Sequence, residues 1–210
     1  MPDGADFLAA LRGIAPDGAG IGWANPALDY PVMPAEVLQS ASPARAREFA
    51  AGRAAARTAL ACIGVPPQAI LHGSDRAPIW PKGVIGSITH TGQACLAIAM
   101  PVGPCRGVGI DLEDDSPLPR DLWDTILTPD EQIRMTGARA KAAFCAKEAA
   151  YKAQYPVSGT LYGFDRMVID QTDDRFAATF TASIPPFATG DRVMGWMVRF
   201  SGHVLTLATV

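Results

Sequence analysis

Residues 107 to 113 read Gly-Val-Gly-Ile-Asp-Leu-Glu, and Val108, Ile110 and Leu112 alternate with Gly109, Asp111 and Glu113 at the period of a β-strand. That period sends Asp111 and Glu113 to the same side, so any fold that accepts this strand must bring two carboxylates together. About 35 residues later comes an alanine-rich helical run, Phe144-Cys145-Ala146-Lys147-Glu148-Ala149-Ala150-Tyr151-Lys152. Glu148 and Lys152 are four apart and project from one helix face, whereas Lys147 points to a different side, toward solvent. Three hard oxygen donors and a cation suit a divalent ion that holds a phosphate ester, since Mg²⁺ binds through one or two carboxylates and completes its shell with water and phosphate oxygens. Taken singly, an Asp-x-Glu at a strand end is commonly a solvated pair, and Glu-x-x-x-Lys an ordinary helix-surface pair worth a few tenths of a kcal/mol.

The rest of the composition narrows the setting. The chain has 210 residues, 49% of them hydrophobic, enough for one domain or two small ones with real cores. A net charge of −3 supplies no basic field for nucleic acid, although Arg45, Arg47, Arg53 and Arg57 concentrate positive charge in one stretch. The four cysteines, Cys62, Cys95, Cys105 and Cys145, form no Cys-x-x-Cys pair and lie mostly in apolar runs, which argues for buried free thiols and against structural zinc. Neither a leader-like amino terminus nor a membrane-length apolar run is visible, so the expected location is the cytoplasm.

Along the chain, Ile21 to Trp23 reads as a short strand, while the remainder of residues 1 to 30 shows no element and no role. Ser42-Pro43 reads as an N-cap followed by proline at the first helical position. The helix it opens runs from Ala44 to Ile63, with Arg53 and Arg57 on one face, and ends at Gly64. Val84 to Thr89, Ala94 to Met100 and Val108 to Glu113 read as strands, the first two as a hairpin. Thr128-Pro129-Asp130-Glu131 is a capping box that starts another helix. The helix carrying Glu148 spans Lys141 to Gln154, with Pro156 stopping it. Arg166 to Asp170, Phe176 to Ala182, Val193 to Phe200 and His203 to Thr209 read as strands. Helix then strands thus occurs twice, with a boundary near Gly103 to Arg106.

Further motifs stand in a recognisable order. Arg76-Ala77-Pro78-Ile79-Trp80-Pro81 and Gly86-Ser87-Ile88-Thr89-His90-Thr91 precede the Asp-x-Glu strand, and a Gly52-Arg53 helix precedes both. With the Gly-Ile-Asp-Leu-Glu and Lys-Glu-Ala-Ala-Tyr-Lys segments, these motifs between about residue 45 and residue 165 resemble the 4′-phosphopantetheinyl transferases, specifically the Sfp-like class of the enterobactin synthetase component D type. The resemblance implies an α+β fold of two similar α/β lobes, 1–104 and 105–210, related by a pseudo-twofold with the active site between them. It also implies transfer of the 4′-phosphopantetheine arm of coenzyme A to a serine of an apo acyl or peptidyl carrier protein, with release of 3′,5′-ADP, by a monomer serving siderophore or other secondary metabolism.

Residue by residue, the resemblance assigns Asp111, Glu113 and Glu148 to Mg²⁺ (or Mn²⁺). Glu148 also takes part in deprotonating the serine, directly or through water, and Lys152 holds the α-phosphate and steadies the departing ADP. Asp111 also counts among the groups at coenzyme A, and the 105–210 lobe carries the metal and catalytic helix. In the 1–104 lobe, which takes the nucleotide end, His90 is assigned to the 3′-phosphate, beside the hydroxyl of Thr89. Arg53, Arg76 and Arg57 add positive charge for coenzyme A, whereas Arg45 and Arg57 are as easily read as a solvated helix face. Trp80 reads as packing, His72 and His203 as structural, the methionines as core filler, and the Trp123 region as a surface between lobes where a carrier could dock. Two other classes explain part of the pattern: a Mg²⁺-dependent phosphohydrolase using the same carboxylates on water, and a non-catalytic module that binds coenzyme A or the carrier protein.

Overall fold

The first helix, α1 (Gly4–Ile14), occupies a stretch in which sequence reading found no element. Asp3 caps it by accepting hydrogen bonds from the N–H groups of Ala5 and Asp6, and Phe7 and Leu11, one turn apart, are its buried residues. Only two apolar anchors in a Gly- and Ala-rich segment give a weak periodic signal, which is why the helix escapes notice. The structure, a computed structural model, describes residues 3–36, 38 and 41–210; Met1 and Pro2, within the segment read as featureless, lie outside the described residues. The chain divides into two compact units, Met1–Pro104 and Cys105–Val210.

In the first unit, β1 (Gly20–Ala24) leads to α2 (Pro43–Cys62). Ser42 accepts a hydrogen bond from the N–H of Arg45 and Pro43 sits in the first turn, while Gly64, at φ +75°, releases the chain from the other end. A two-residue ribbon, β2 (Leu71–His72) with β3 (Pro78–Ile79), precedes β4 (Val84–His90) and β5 (Cys95–Pro101). The sheet order is β1-β5-β4, all antiparallel, with the β4–β5 hairpin as expected. The alanines of α2 can lie on this sheet because β1 offers glycines beneath them. A Cβ on Gly20 would strike the carbonyl oxygen of Ala59, and one on Gly22 that of Ala55.

The second unit starts with β6 (Val108–Asp114), followed by α3 (Trp123–Ile126), α4 (Pro129–Arg134) and α5 (Gly137–Ser158). Four strands follow, β7 (Met167–Gln171), β8 (Arg175–Phe180), β9 (Arg192–Phe200) and β10 (His203–Thr209), giving the order β6-β10-β9-β8-β7. The capping box of α4 forms as read, with Thr128 and Glu131 satisfying each other's backbone N–H groups. Pro156 does not stop α5: the helix runs past it to Ser158 and ends at Gly159, whose φ is +63°. A proline in the final turn forfeits one hydrogen bond, to the Lys152 carbonyl, and at that place the loss is tolerated. Here too glycines admit the helix, since a Cβ on Gly107 or Gly109 would strike the carbonyl oxygen of Ala153 or Ala149. Each unit is therefore one long alanine-rich helix laid on an antiparallel sheet, an α+β arrangement.

Two expectations about burial change. Cys95 and Cys145 are buried, but Cys105 is half-buried and Cys62 exposed, because Cys62 ends α2; all four thiols are free. Trp123 is no surface residue. It is 3% exposed, donates its indole N–H to the Leu118 carbonyl and lies under the Arg120 guanidinium, within the core of the second unit. No helix among the described residues is long and apolar enough to cross a membrane.

Candidate active site

Strand β6 delivers the two carboxylates as its alternation requires. Asp111 stands opposite Thr206 and Glu113 opposite Val204 on β10. Because α5 rests directly on Gly107 and Gly109, its side chains at Lys141, Glu148 and Lys152 reach that strand. Lys152 Nζ donates to Asp111 Oδ1 at 2.6 Å and to the Ile110 carbonyl at 3.2 Å, and Lys141 Nζ donates to Glu113 Oε2 at 3.1 Å. Burial raises the Glu113 carboxyl above its ordinary value, with the field of Asp111 adding to it and the two lysines opposing. Burial likewise raises Glu148, against the pull of Lys152 and with repulsion from Asp111 and Glu113. For Lys152 burial disfavours the ammonium, yet the fields of Asp111 and Glu148 outweigh it and hold the group above its usual range. The four groups thus share one electrostatic environment.

That environment suits a hard divalent cation in its donor chemistry: three carboxyl groups, two of them pushed toward protonation by burial and mutual repulsion, would be relieved by a +2 charge. Among the described residues, no three acid, His or Cys side chains are gathered as a ready coordination sphere. The two lysines engage Asp111 and Glu113 instead.

The helix is pinned at this level by groups that sequence reading left without a role. The Cys145 thiol donates to the Asp111 carbonyl at 3.2 Å, and Thr206 Oγ1 donates to the Cys145 carbonyl at 2.9 Å, so strand, helix and β10 meet at one point. Burial raises the Cys145 thiol well above its usual range, which keeps it inert. Lys147 does not face solvent. It is 2% exposed, with Nζ 2.7 Å from Glu131 Oε2 and donating also to the carbonyls of Ile126 and Phe164. Its place beside Glu148 turns it inward, under α3 and α4, where Glu131 is its ion-pair partner and Asp165 adds to the field. Next to Glu148 lies a cavity of about 120 Å³ walled by Tyr151, Tyr162, Phe164 and Met167. Tyr151 and Tyr162 meet edge to face at 5.3 Å. An aromatic pair 11 residues apart in sequence, Tyr151 in the helix and Tyr162 beyond its end, carried no periodic signal.

In the first unit His90 ends β4, opposite Cys95. Arg45 Nη1 lies 2.8 Å from His90 Nε2 and 3.2 Å from Glu48 Oε2, and His90 Nδ1 lies 4.0 Å from that same oxygen. Arg45, which looked like a solvated helix face, is therefore the arginine that meets His90; the hairpin register brings the strand end to the first turns of α2, and sequence separation conceals it. Arg53 is buried, donates Nε to the Ile70 carbonyl at 2.6 Å and covers the Phe49 ring, and burial lowers its guanidinium to about 10. Arg57 pairs with both carboxylate oxygens of the buried Glu36 and donates to the Pro31 carbonyl. Arg76 is exposed in the turn from Gly73 to Ala77, with a left-handed φ of +68°. Thr89 is buried, and Trp80 packs against Gly86, where a Cβ would meet its ring. His72 is exposed and contacts Phe49 edge-on, and His203 is buried against Phe200.

Comparison with known proteins gives these observations a family. The 4′-phosphopantetheinyl transferase N-terminal domain family matches residues 33–100, and the 4′-phosphopantetheinyl transferase superfamily matches residues 107–206. The 4′-phosphopantetheinyl transferase Svp of Streptomyces mobaraensis is 34% identical over 195 residues, covering 86% of this chain and 78% of its own. The 4′-phosphopantetheinyl transferase PptT of Mycobacterium tuberculosis is 37% identical over 162 residues, 69% of this chain and 71% of its own. Enterobactin synthase component D of Escherichia coli K12 is 37% identical over 124 residues, 55% of this chain and 58% of its own. With both units matched, and with the strand carboxylates and helix Glu148 and Lys152 falling inside the second match, the chain belongs to the 4′-phosphopantetheinyl transferase superfamily.

Proposed function

We propose that Asp111, Glu113, Glu148 and Lys152 form the reaction centre through which this chain works as a holo-carrier-protein synthase. The enzyme transfers the 4′-phosphopantetheine arm of coenzyme A to a serine of an apo carrier protein and releases 3′,5′-ADP. The observation that carries the residue assignment is the Lys152–Asp111 contact, made in the shared field of Glu113 and Glu148 and beside the aromatic cavity.

In the reaction the serine oxygen attacks the β-phosphorus of coenzyme A, the bond to the bridging oxygen breaks, and the electron pair leaves with the 5′-phosphate of 3′,5′-ADP. The serine proton goes to Glu148, directly or through one water; a carboxylate made more basic by burial is the better acceptor. Lys152 lies where charge grows on the leaving phosphate, and its raised pKa keeps it charged. Asp111, Glu113 and Glu148 would hold Mg²⁺ or Mn²⁺, which when bound offsets the negative charge of the pyrophosphate. The cavity of Tyr151, Tyr162, Phe164 and Met167 would take the pantetheine arm, shielding it from water. Arg45 and His90 take the 3′-phosphate, Thr89 and Arg76 contribute at the nucleotide, and Arg53 and Arg57, directed at internal acceptors, supply field and hold α2 in place. We assign the enzyme to the cytoplasm as a monomer, and its acceptor to acyl or peptidyl carrier proteins of siderophore or other secondary metabolism.

The test is to incubate the protein with coenzyme A, Mg²⁺ and an apo carrier protein and to weigh the carrier by mass spectrometry. Gain of one phosphopantetheine mass is expected. Release of nucleotide without that gain would make the chain a phosphohydrolase, and neither product would make it a binding module. Within the reading, Lys152→Ala should lower kcat far more than it weakens coenzyme A binding, because charge develops beside it only in the transition state.

A further inference from the structure

The corner formed by the Arg45 guanidinium and His90 carries a carboxylate of its own. Glu48 Oε2 accepts from Arg45 Nη1 at 3.2 Å and stands 4.0 Å from His90 Nδ1. Since Arg45 donates to His90 Nε2 at 2.8 Å, that nitrogen is an acceptor and the ring proton sits on Nδ1, facing Glu48. Glu48 is only partly covered, its side chain 30% exposed, and it also borders a cavity of about 490 Å³ shared with Asp29, Arg47 and Gly92. The carboxylate therefore has room to swing aside and is next to open space large enough for a nucleotide fragment.

We propose that Glu48 is a resident counter-anion that competes with the 3′-phosphate of coenzyme A and of the product 3′,5′-ADP, setting how fast the spent nucleotide leaves. The proposal rests on the reading that Arg45 and His90 take the 3′-phosphate. A phosphate held by those two groups comes within a few ångströms of Glu48, and two anions so close repel even where water reaches them. The 3′-phosphate is unchanged in the reaction, so every contact to it binds substrate, transition state and product alike; such contacts lower KM without raising kcat and, beyond need, slow product departure. A carboxylate that weakens this grip restores release without touching the reacting atoms.

The experiment measures, by titration calorimetry at low salt, binding of adenosine 3′,5′-bisphosphate and of 5′-AMP to the wild type, His90→Ala, Glu48→Gln and Glu48→Ala. The wild type should prefer the bisphosphate, and His90→Ala should lose most of that preference. Both Glu48 variants should widen it about tenfold, less at high salt, with 5′-AMP affinity nearly unchanged. A preference that stays the same or narrows in both Glu48 variants, while His90→Ala still reduces it, overturns the counter-anion and leaves the phosphate assignment standing. If the wild type binds both nucleotides equally, the phosphate assignment itself falls and Glu48 with it.

Discussion

The two units solve one packing problem twice and carry the cluster of Asp111, Glu113, Glu148 and Lys152 once. In each, the first strand is a Gly-x-Gly that pairs with the last strand, which pairs with the one before it, and a long helix lies across with two alanine carbonyls over the two glycines. In each, an x-Pro-x-Glu turn buries its glutamate. Glu36 accepts from the N–H groups of Met33 and Ile70, and Glu131 from those of Thr128 and Ile169. In each, two residues before the first of those alanines, the helix buries a cation, Arg53 or Lys147. At the matched places where the second unit has Asp111, Glu148 and Lys152, the first has Ala24, Ala54 and Thr58. The backbone device is thus independent of the chemistry mounted on it. A scaffold can be doubled while one copy alone carries the carboxylates.

The sharpest way to break the comparison is Asp111→Ala, which makes the second unit resemble the first at that place. Transfer should fall about a thousandfold or more, on the order of 4 kcal/mol in the barrier, with the melting temperature nearly unchanged. Full activity in a folded variant would remove Asp111 from the site.

Next in size is the buried cation. Lys147→Ala strands Glu131 in the core and should cost about 3–5 kcal/mol of stability. Arg57→Ala should cost about 1–3 kcal/mol, because the Arg57 side chain is 14% exposed against 2% for Lys147, so that water can reach Glu36 once the guanidinium is gone. Denaturant melts of the two variants decide this, and equal losses would mean that the two pairs are energetically alike.

The glycines should behave as equals. Gly22→Ala and Gly109→Ala each push a methyl into a helix carbonyl and should cost about 1–3 kcal/mol apiece. A Gly109 variant that is much worse than its partner would show that β6 packs under tighter constraint than β1.

The smallest effect is acidic. Burial acts to raise Glu36, but hydrogen bonds from Ile70, Met33 and Arg57 outweigh it and hold its pKa below the ordinary 4.5. The unfolded chain therefore binds the proton first as pH falls. The stability that Glu36 contributes is complete above about pH 4.5 and is lost as pH drops through the lower folded value. Glu36→Gln should flatten this limb of a stability-versus-pH curve, and an unchanged acid limb would mean that other carboxylates control it.

Much of this was legible in the sequence wherever the signal is local. The alternation of β6, the Ser42 and Thr128 caps, and the four-residue step from Glu148 to Lys152 are each written within a few residues, and each forms. Tertiary partners were hidden. Nothing near Lys147 announces that Glu131, 16 residues earlier, waits inside, and a lysine beside a glutamate on a helix ordinarily points to water. Arg45 meets His90 only through the register of a hairpin that packs under α2. The doubling was legible only in outline, as helix then strands twice, because what repeats in the sequence is glycine spacing and a buried glutamate, while the side chains between them differ. Helix α1 rests on two apolar contacts, too few to set a period.

The contact of α5 with β6 through Gly107 and Gly109 also has a dynamic meaning. Elsewhere in a protein, helix and sheet are separated by interlocking side chains that can change rotamer within nanoseconds, and the distance between the two backbones breathes with them. Here main chain lies against main chain, with no rotatable group between. The main-chain spacing from Asp111 to Glu148 and Lys152 can therefore alter only by slow opening of the unit, and the amides of Gly109 to Leu112 should be among the last in the chain to exchange with solvent deuterium.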